Sequence, residues 1–197
     1  PDAVRAGRSG FARAGDRVAL AGPFRPRLPG SELAKLRGEP LPDGLEPVDV
    51  EALRAAHAAV RDAVRDGDLS SAHDVAEGGL LVAVAESCLA GGLGATLDLG
   101  GAGGGGGAGG GGAERGVLCD GEAADGLERL LFGEGPGAGF VVSGPEEAVL
   151  RLGDRVPIAI VGTVGGQTLG VTRGDVRIAV TLVELRTAHA ALAPLFP

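Results

Sequence analysis

"TLGVTRGDVRIAVTLVEL", Thr168 to Leu185, reads as two strands folded back on each other at Arg173-Gly174-Asp175. Alternating apolar residues on either side of a Gly-containing turn make a hairpin. Just upstream, "PIAIVGTV" (Pro157 to Val164) is a further strand, and a final helix is expected from Val183 to Ala193. Strands joined by such tight turns favour a mixed or antiparallel sheet over a doubly wound parallel one. Helices do alternate with strands earlier in the chain. The expected class is therefore α+β, with a mixed, largely antiparallel sheet and helices packed on it.

The earlier elements are marked by their ends. "GDRVALAG" (Gly15 to Gly22) is a short buried strand entered through a Gly-Asp turn, followed by a proline-rich loop from Pro23 to Pro29. Ser31 is placed to cap a short helix in "GSELAKLRG", with Glu32 in the first turn and Gly38 at the end. "DVEALRAAHAAVRDAVRDG" starts at an Asp cap and stops at Gly67, with Leu53, Ala56, Val60 and Val64 at helical spacing. His57 lies on that helix with no second ligand type beside it, and His189 lies on the last one. Both read as surface or boundary residues. A helix follows over Leu80 to Ala90, closed by Gly91-Gly92, and then a strand in "GATLDL" (Gly94 to Leu99). "AADGLERLLF" is a short helix, "FVVS" a strand, and a further helix opens at Pro145.

The segment from Gly100 to Gly116 is nearly all glycine. Ordering glycine costs more backbone entropy than ordering any other residue, and this run offers no side chains to bury. It lacks the fixed spacing and the Lys, Ser or Thr of a phosphate loop, so a flexible insertion in a single domain of 197 residues is expected.

Composition narrows the function. Hydrophobic residues make up 44% of the chain, enough for a core, yet the aromatics are five Phe only. Such a chain has little with which to stack bases. Its net charge of −8 opposes binding to nucleic acid or an anionic membrane. Any phosphate must be held locally, by backbone amides or a metal. Cys88 and Cys119 have no partners at metal-ligand spacing and read as reduced thiols. No leader and no apolar stretch of about 18 residues is present, so the expected compartment is the cytoplasm. The chain starts at Pro1 and contains no Met, so it reads as a piece of something longer.

"SAHDVAEGGL" (Ser71 to Leu80) concentrates the polar chemistry, with His73, Asp74 and Glu77 ahead of Gly78-Gly79. The glycines fall where the Leu80 helix begins. A helix start exposes unpaired N–H groups with partial positive charge, and glycine lets an anion reach them. Asp74 has two readings: a cap for that helix, or a ligand for Mg²⁺, which commonly takes one or two carboxylates together with substrate phosphates. His73 could equally end a strand with its ring satisfied by backbone. No Walker loop, zinc spacing or Ser-His-Asp arrangement is present.

These pieces resemble a known family. "AHDVAEGGLLVAVAESCLAGGLGA" is similar to the "AHDVSEGGL…LAE" signature of phosphoribosylformylglycinamidine synthase. "GFARAGDRVALAG" with "GSELAKLRG" resembles its "GD…LLG…GSEY" entry, "LLFGEGPGAGFVVSG" its "LFSESPGR" segment, and "IAIVGTVGG" its "IGTVGG" turn. The resemblance implies the carboxy-terminal domain of the synthetase subunit, of the type shared with aminoimidazole ribonucleotide synthetase. A three-layer α+β fold is implied with it. The implied reaction joins formylglycinamide ribonucleotide, ATP and glutamine-derived ammonia through an iminophosphate. The implied cofactors are Mg²⁺ and ATP, and the implied partners are an amino-terminal ATP-binding domain and a glutaminase domain or subunit.

By position, Asp74 matches the Mg²⁺-binding aspartate and Gly78-Gly79 the phosphate-contacting turn. His73 and Glu77 share that motif, Ser31 and Glu32 match "GSE", and Glu134 matches the glutamate of "SES"; the resemblance implies that these five are phosphate or nucleotide contacts as well. The chain departs from the family at Ala76, Gly133, Gly135 and Ala138, losing three hydroxyls and a cation. Those losses admit a second reading, a scaffold domain whose nucleotide pocket has decayed. Another member of the same ATP-using superfamily is a third.

Overall fold

The computed structural model describes residues 7–44, 47–100, 124–135 and 139–191. Residues 101–116 of the glycine tract, Cys119, Ala138 and residues 192–193 of the expected last helix lie outside them.

Among the described residues, seven strands form one sheet: β1 (Arg17–Ala21), β2 (Ser71–Asp74), β3 (Ala95–Asp98), β4 (Phe140–Gly144), β5 (Ile158–Val164), β6 (Thr168–Arg173) and β7 (Val176–Thr181). Their order is β2-β4-β1-β5-β3-β6-β7. All neighbouring pairs are antiparallel except β3 and β6. The sheet is thus mixed and largely antiparallel, as the tight turns require.

The β6–β7 hairpin turns at Gly174 (φ 55°) as expected. β5 and β6, although nearly contiguous in sequence, do not pair. β3 lies between them, antiparallel to β5 and parallel to β6. The Gly165-Gly166 turn spans the width of that inserted strand. It is tied to the start of β3 by Gly165 N–H donating to Gly94 O (2.7 Å) and Gly94 N–H donating to Gly166 O (2.9 Å).

The described residues also form six helices: α1 (Glu32–Leu36), α2 (Val50–Arg65), α3 (Gly79–Gly91), α4 (Ala124–Phe132), α5 (Glu146–Leu152) and α6 (Leu182–Ala190). Strand periodicity divides them between the two faces of the sheet. Val18, Leu20 and Val141 join Leu80, Val84 and Cys88 of α3, Leu130 and Leu131 of α4 and Leu182 of α6 in one core. Ala19, Ala21 and Val142, one residue out of phase, join Ala56, Ala59 and Val60 of α2 with Val149 and Leu152 of α5 in the other. Successive strand side chains point to opposite faces, so a central strand buried on both sides demands two helical layers. This is the expected three-layer arrangement.

Asp49 caps α2, accepting from Ala52 N–H at 2.9 Å. Thr181 opens α6 with a full capping box to Glu184. That helix begins one residue earlier than expected because Thr181, the last residue of β7, is also its cap. Cys88 is fully buried, and burial pushes its thiol up to about 12, which keeps it an inert core residue. Among the described residues, no helix is long and apolar enough to cross a membrane.

Candidate functional site

β2 carries His73 and Asp74 at the edge of the sheet, where β4 is its one neighbour among the described residues. The His73 side chain is 19% exposed. Its Nδ1 is 2.7 Å from the Asp74 carbonyl oxygen and its Nε2 is 3.2 Å from the Glu86 carboxylate of α3. His73 therefore ends a strand with its ring engaged by backbone, and its second partner, Glu86, falls on the glutamate of "LAE" in the same signature. Asp74 is 69% exposed, with its carboxylate 3.6 Å from His73 Nδ1. It does not cap α3: the N-cap is Gly78, with no side-chain cap bond. Four residues of turn separate Asp74 from the helix, too far for an N-cap, which must directly precede the first helical residue.

The turn itself requires both glycines. Gly78 (φ 81°) and Gly79 (φ 74°) are left-handed, a conformation costly for any residue with a Cβ. Gly79 is also buried, and a Cβ there would meet Leu131 O and Phe132 C at 2.8 Å and Gly133 O at 2.9 Å. The end of α4 lies directly on the start of α3. The glycine pair thus has a packing role whether or not an anion visits it.

Glu134 follows α4 and joins this corner together. Its Oε1 accepts from Gly78 N–H at 2.8 Å and from Glu32 N–H at 2.8 Å. Its backbone is held by reciprocal bonds with Arg27, both 2.9 Å. Ser31, only 1% exposed, spends its Oγ accepting from Ala34 N–H at 3.2 Å as the cap of α1. Lys35, the chain's single lysine, pairs with Glu32, and the Glu32 carboxylate together with the charges of Glu134 and Glu77 raises its pKa. Glu77 is exposed. Arg37 fastens α1 to α4 through a bidentate pair with Glu128, both contacts 2.8 Å.

Three of the four sequence pieces therefore meet at one corner, formed by the starts of α1 and α3 and the end of α4. The fourth, "IVGTVGG", lies at the opposite end of α3, against Gly94.

The departures from the family pattern have a physical counterpart. Gly133 is buried, and a Cβ there would come within 2.2 Å of Arg129 O and 2.8 Å of Arg27 N. This packing has no room for a serine. Gly135 is less confined, its nearest contact being Arg25 O at 3.2 Å.

Among the described residues, no group of three or more His, Cys, Asp or Glu side chains is arranged to hold a metal ion. Asp74 offers a single exposed carboxylate. That fits a Mg²⁺ whose remaining ligands are nucleotide oxygens, water and donors from elsewhere, the usual manner of Mg²⁺ binding.

Comparison with known proteins agrees with this architecture. The family described as "AIR synthase related protein, C-terminal domain" matches residues 13–174. Phosphoribosylformylglycinamidine synthase subunit PurL of Methanosarcina mazei is 29% identical over 184 residues, covering 92% of this chain and 22% of the relative. The PurL subunit of Moorella thermoacetica is 46% identical over 101 residues, covering 50% of this chain and 14% of the relative. The chain thus spans less than a quarter of the length of these relatives. Among solved structures, T. maritima PurL complexed with ATP has a TM-score of 0.67 at 17% identity, covering 93% of this chain and 27% of that one. The same protein complexed with FGAR gives 0.68 at 18%, covering 93% and 30%. The shared fold and the family match over most of its length show that the chain belongs to the AIR synthase related proteins, as a C-terminal domain of that family.

Proposed function

We propose that this chain is the C-terminal domain of an ATP-dependent phosphoribosylformylglycinamidine synthase. That enzyme joins formylglycinamide ribonucleotide to glutamine-derived ammonia in purine biosynthesis. The single observation that carries the reading is the convergence of "GSE", "HDVAEGG" and "LFGEG" at one corner, in a chain whose relatives are named as that enzyme's subunit. Solved relatives of the same fold are complexed with ATP and with FGAR, which supports a nucleotide and that substrate here.

In this reading Asp74 would supply a carboxylate oxygen to Mg²⁺, which when bound would offer charge neutralisation at a phosphoryl group. The Gly78-Gly79 turn lets a phosphate approach the start of α3, with His73 and Glu77 beside it. Ser31, Glu32 and Glu134 shape the neighbouring wall. The remaining nucleotide ligands come from an amino-terminal companion domain, and ammonia from a glutaminase domain or subunit. The setting is the cytoplasm. Without the companion domain, this chain does not turn over.

A scaffold role is the second reading, favoured by one specific observation: the Gly78 amide already has a carboxylate partner. Melting the whole protein with and without Mg²⁺-ADP separates the two. Ligand at a hundredfold above Kd stabilises by about 2.7 kcal/mol. Asp74→Ala, at an exposed position, is expected to fold normally and lose that stabilisation. A full shift in Asp74→Ala removes Asp74 from the site, and no shift in the parent protein favours the scaffold.

A further inference from the structure

We propose that Glu134 is a positioning residue: its carboxylate sets the Gly78-Gly79 turn and the start of α1 relative to each other, and does not itself bind nucleotide or metal. The resemblance placed Glu134 among the ligand contacts, but its side chain is engaged within the protein. One oxygen, Oε1, lies 2.8 Å from both Gly78 N and Glu32 N, residues 56 and 102 positions away in sequence. These amides open two different helices, and each lacks an intrahelical acceptor. A carboxylate satisfies such donors more strongly than a neutral group does.

The origin of the side chain is itself fixed. Glu134 is bonded through both its N–H and its carbonyl to Arg27. The preceding Gly133 packs so closely on Arg129 O and Pro26 that no Cβ fits. A rigid backbone thus projects one carboxylate between two helix starts. Any displacement of Glu134 moves the Gly78 amide, and with it the wall beside Asp74.

The functional part of the inference rests on the nucleotide reading above, but its structural part does not. The test uses the whole protein with Glu134→Ala and Glu134→Gln. Hydrogen–deuterium exchange is followed in peptides spanning 31–36 and 75–81, and Mg²⁺-ADP affinity is measured alongside.

Losing a hydrogen bond to a charged group should speed exchange in both peptides of Glu134→Ala about tenfold or more, with a comparable loss of affinity. Glu134→Gln keeps an acceptor oxygen, so both measurements stay within about threefold of the parent. Unchanged exchange in Glu134→Ala overturns the proposal. So does a Glu134→Gln that loses affinity as severely as Glu134→Ala while both peptides remain protected, because that identifies a ligand acting by charge. If Glu134→Ala fails to fold, Glu134→Gln decides by the same criteria. A parent protein that binds no Mg²⁺-ADP refutes the nucleotide reading, while the exchange measurement still decides the positioning role.

Discussion

Gly79→Ala tests whether the glycine pair is demanded by packing. Two costs add at this position. The backbone is left-handed at φ 74°, which costs a residue with a Cβ about 1–2 kcal/mol. The new methyl would also lie 2.8 Å from Leu131 O and Phe132 C, both backbone atoms that cannot rotate away. Overpacking of that kind costs about 1–3 kcal/mol. Against this, alanine reduces unfolded-chain entropy, returning about 0.4–1 kcal/mol. The net expectation is about 1–4.5 kcal/mol, or a fall in Tm of roughly 2–18 °C for a domain of this size.

Two control substitutions isolate the terms. Gly92 is left-handed at φ 68° with nothing within 4 Å of a Cβ, so Gly92→Ala carries the backbone cost alone, about 1 kcal/mol. Gly170, in β6, has no positive φ and only ordinary contacts from 3.9 Å outward. Gly170→Ala should stay within about 1 kcal/mol of the parent. Denaturant midpoints at constant m value rank the three. The packing argument fails if Gly79→Ala is no worse than Gly92→Ala, for then the end of α4 does not press on the turn.

Restoring the family's serines should separate in the same assay. Gly133→Ser is expected to destabilise by about 2 kcal/mol or more, because its Cβ meets Arg129 O at 2.2 Å, whereas Gly135→Ser should remain within about 1 kcal/mol. Equal tolerance of both would mean that the Pro26–Arg27 segment yields freely. A third expectation concerns acid. The Arg37 guanidinium holds Glu128 below its ordinary 4.5, Arg155 and then Arg61 hold Asp62 below 3.8, and the Thr181 hydroxyl holds Glu184 below 4.5. Carboxylates depressed on folding contribute stability that is whole above those ordinary values and is lost as pH falls through the folded ones. Unfolding curves between pH 6 and pH 3 should show the decline, and Arg37→Ala should make it shallower; an unchanged slope in that variant removes the Glu128 contribution.

Much of the fold was legible because its signals are local. The caps Ser31, Asp49 and Gly92, the Gly174 turn and the α2 spacing each depend on residues within one or two turns of chain. The insertion of β3 between β5 and β6 was not legible, since strand pairing over about 70 residues leaves no periodicity in either segment. At the candidate site, His73, Asp74, Glu77 and the glycines stood out as a motif. Glu86 belongs to the same signature, but its pairing was not legible there, because an exposed helix glutamate gains that role only when β2 brings His73 within 3.2 Å of it.

By itself the sequence determined the classes of element, the mixed sheet and the family, since each is written in short-range patterning and ordered motifs. Only the tertiary structure decided what Glu134 and Gly133 do. A carboxylate and a missing Cβ take their meaning from backbone atoms far along the chain, and those atoms come within hydrogen-bonding or van der Waals range only after the two layers of helices have closed on the sheet.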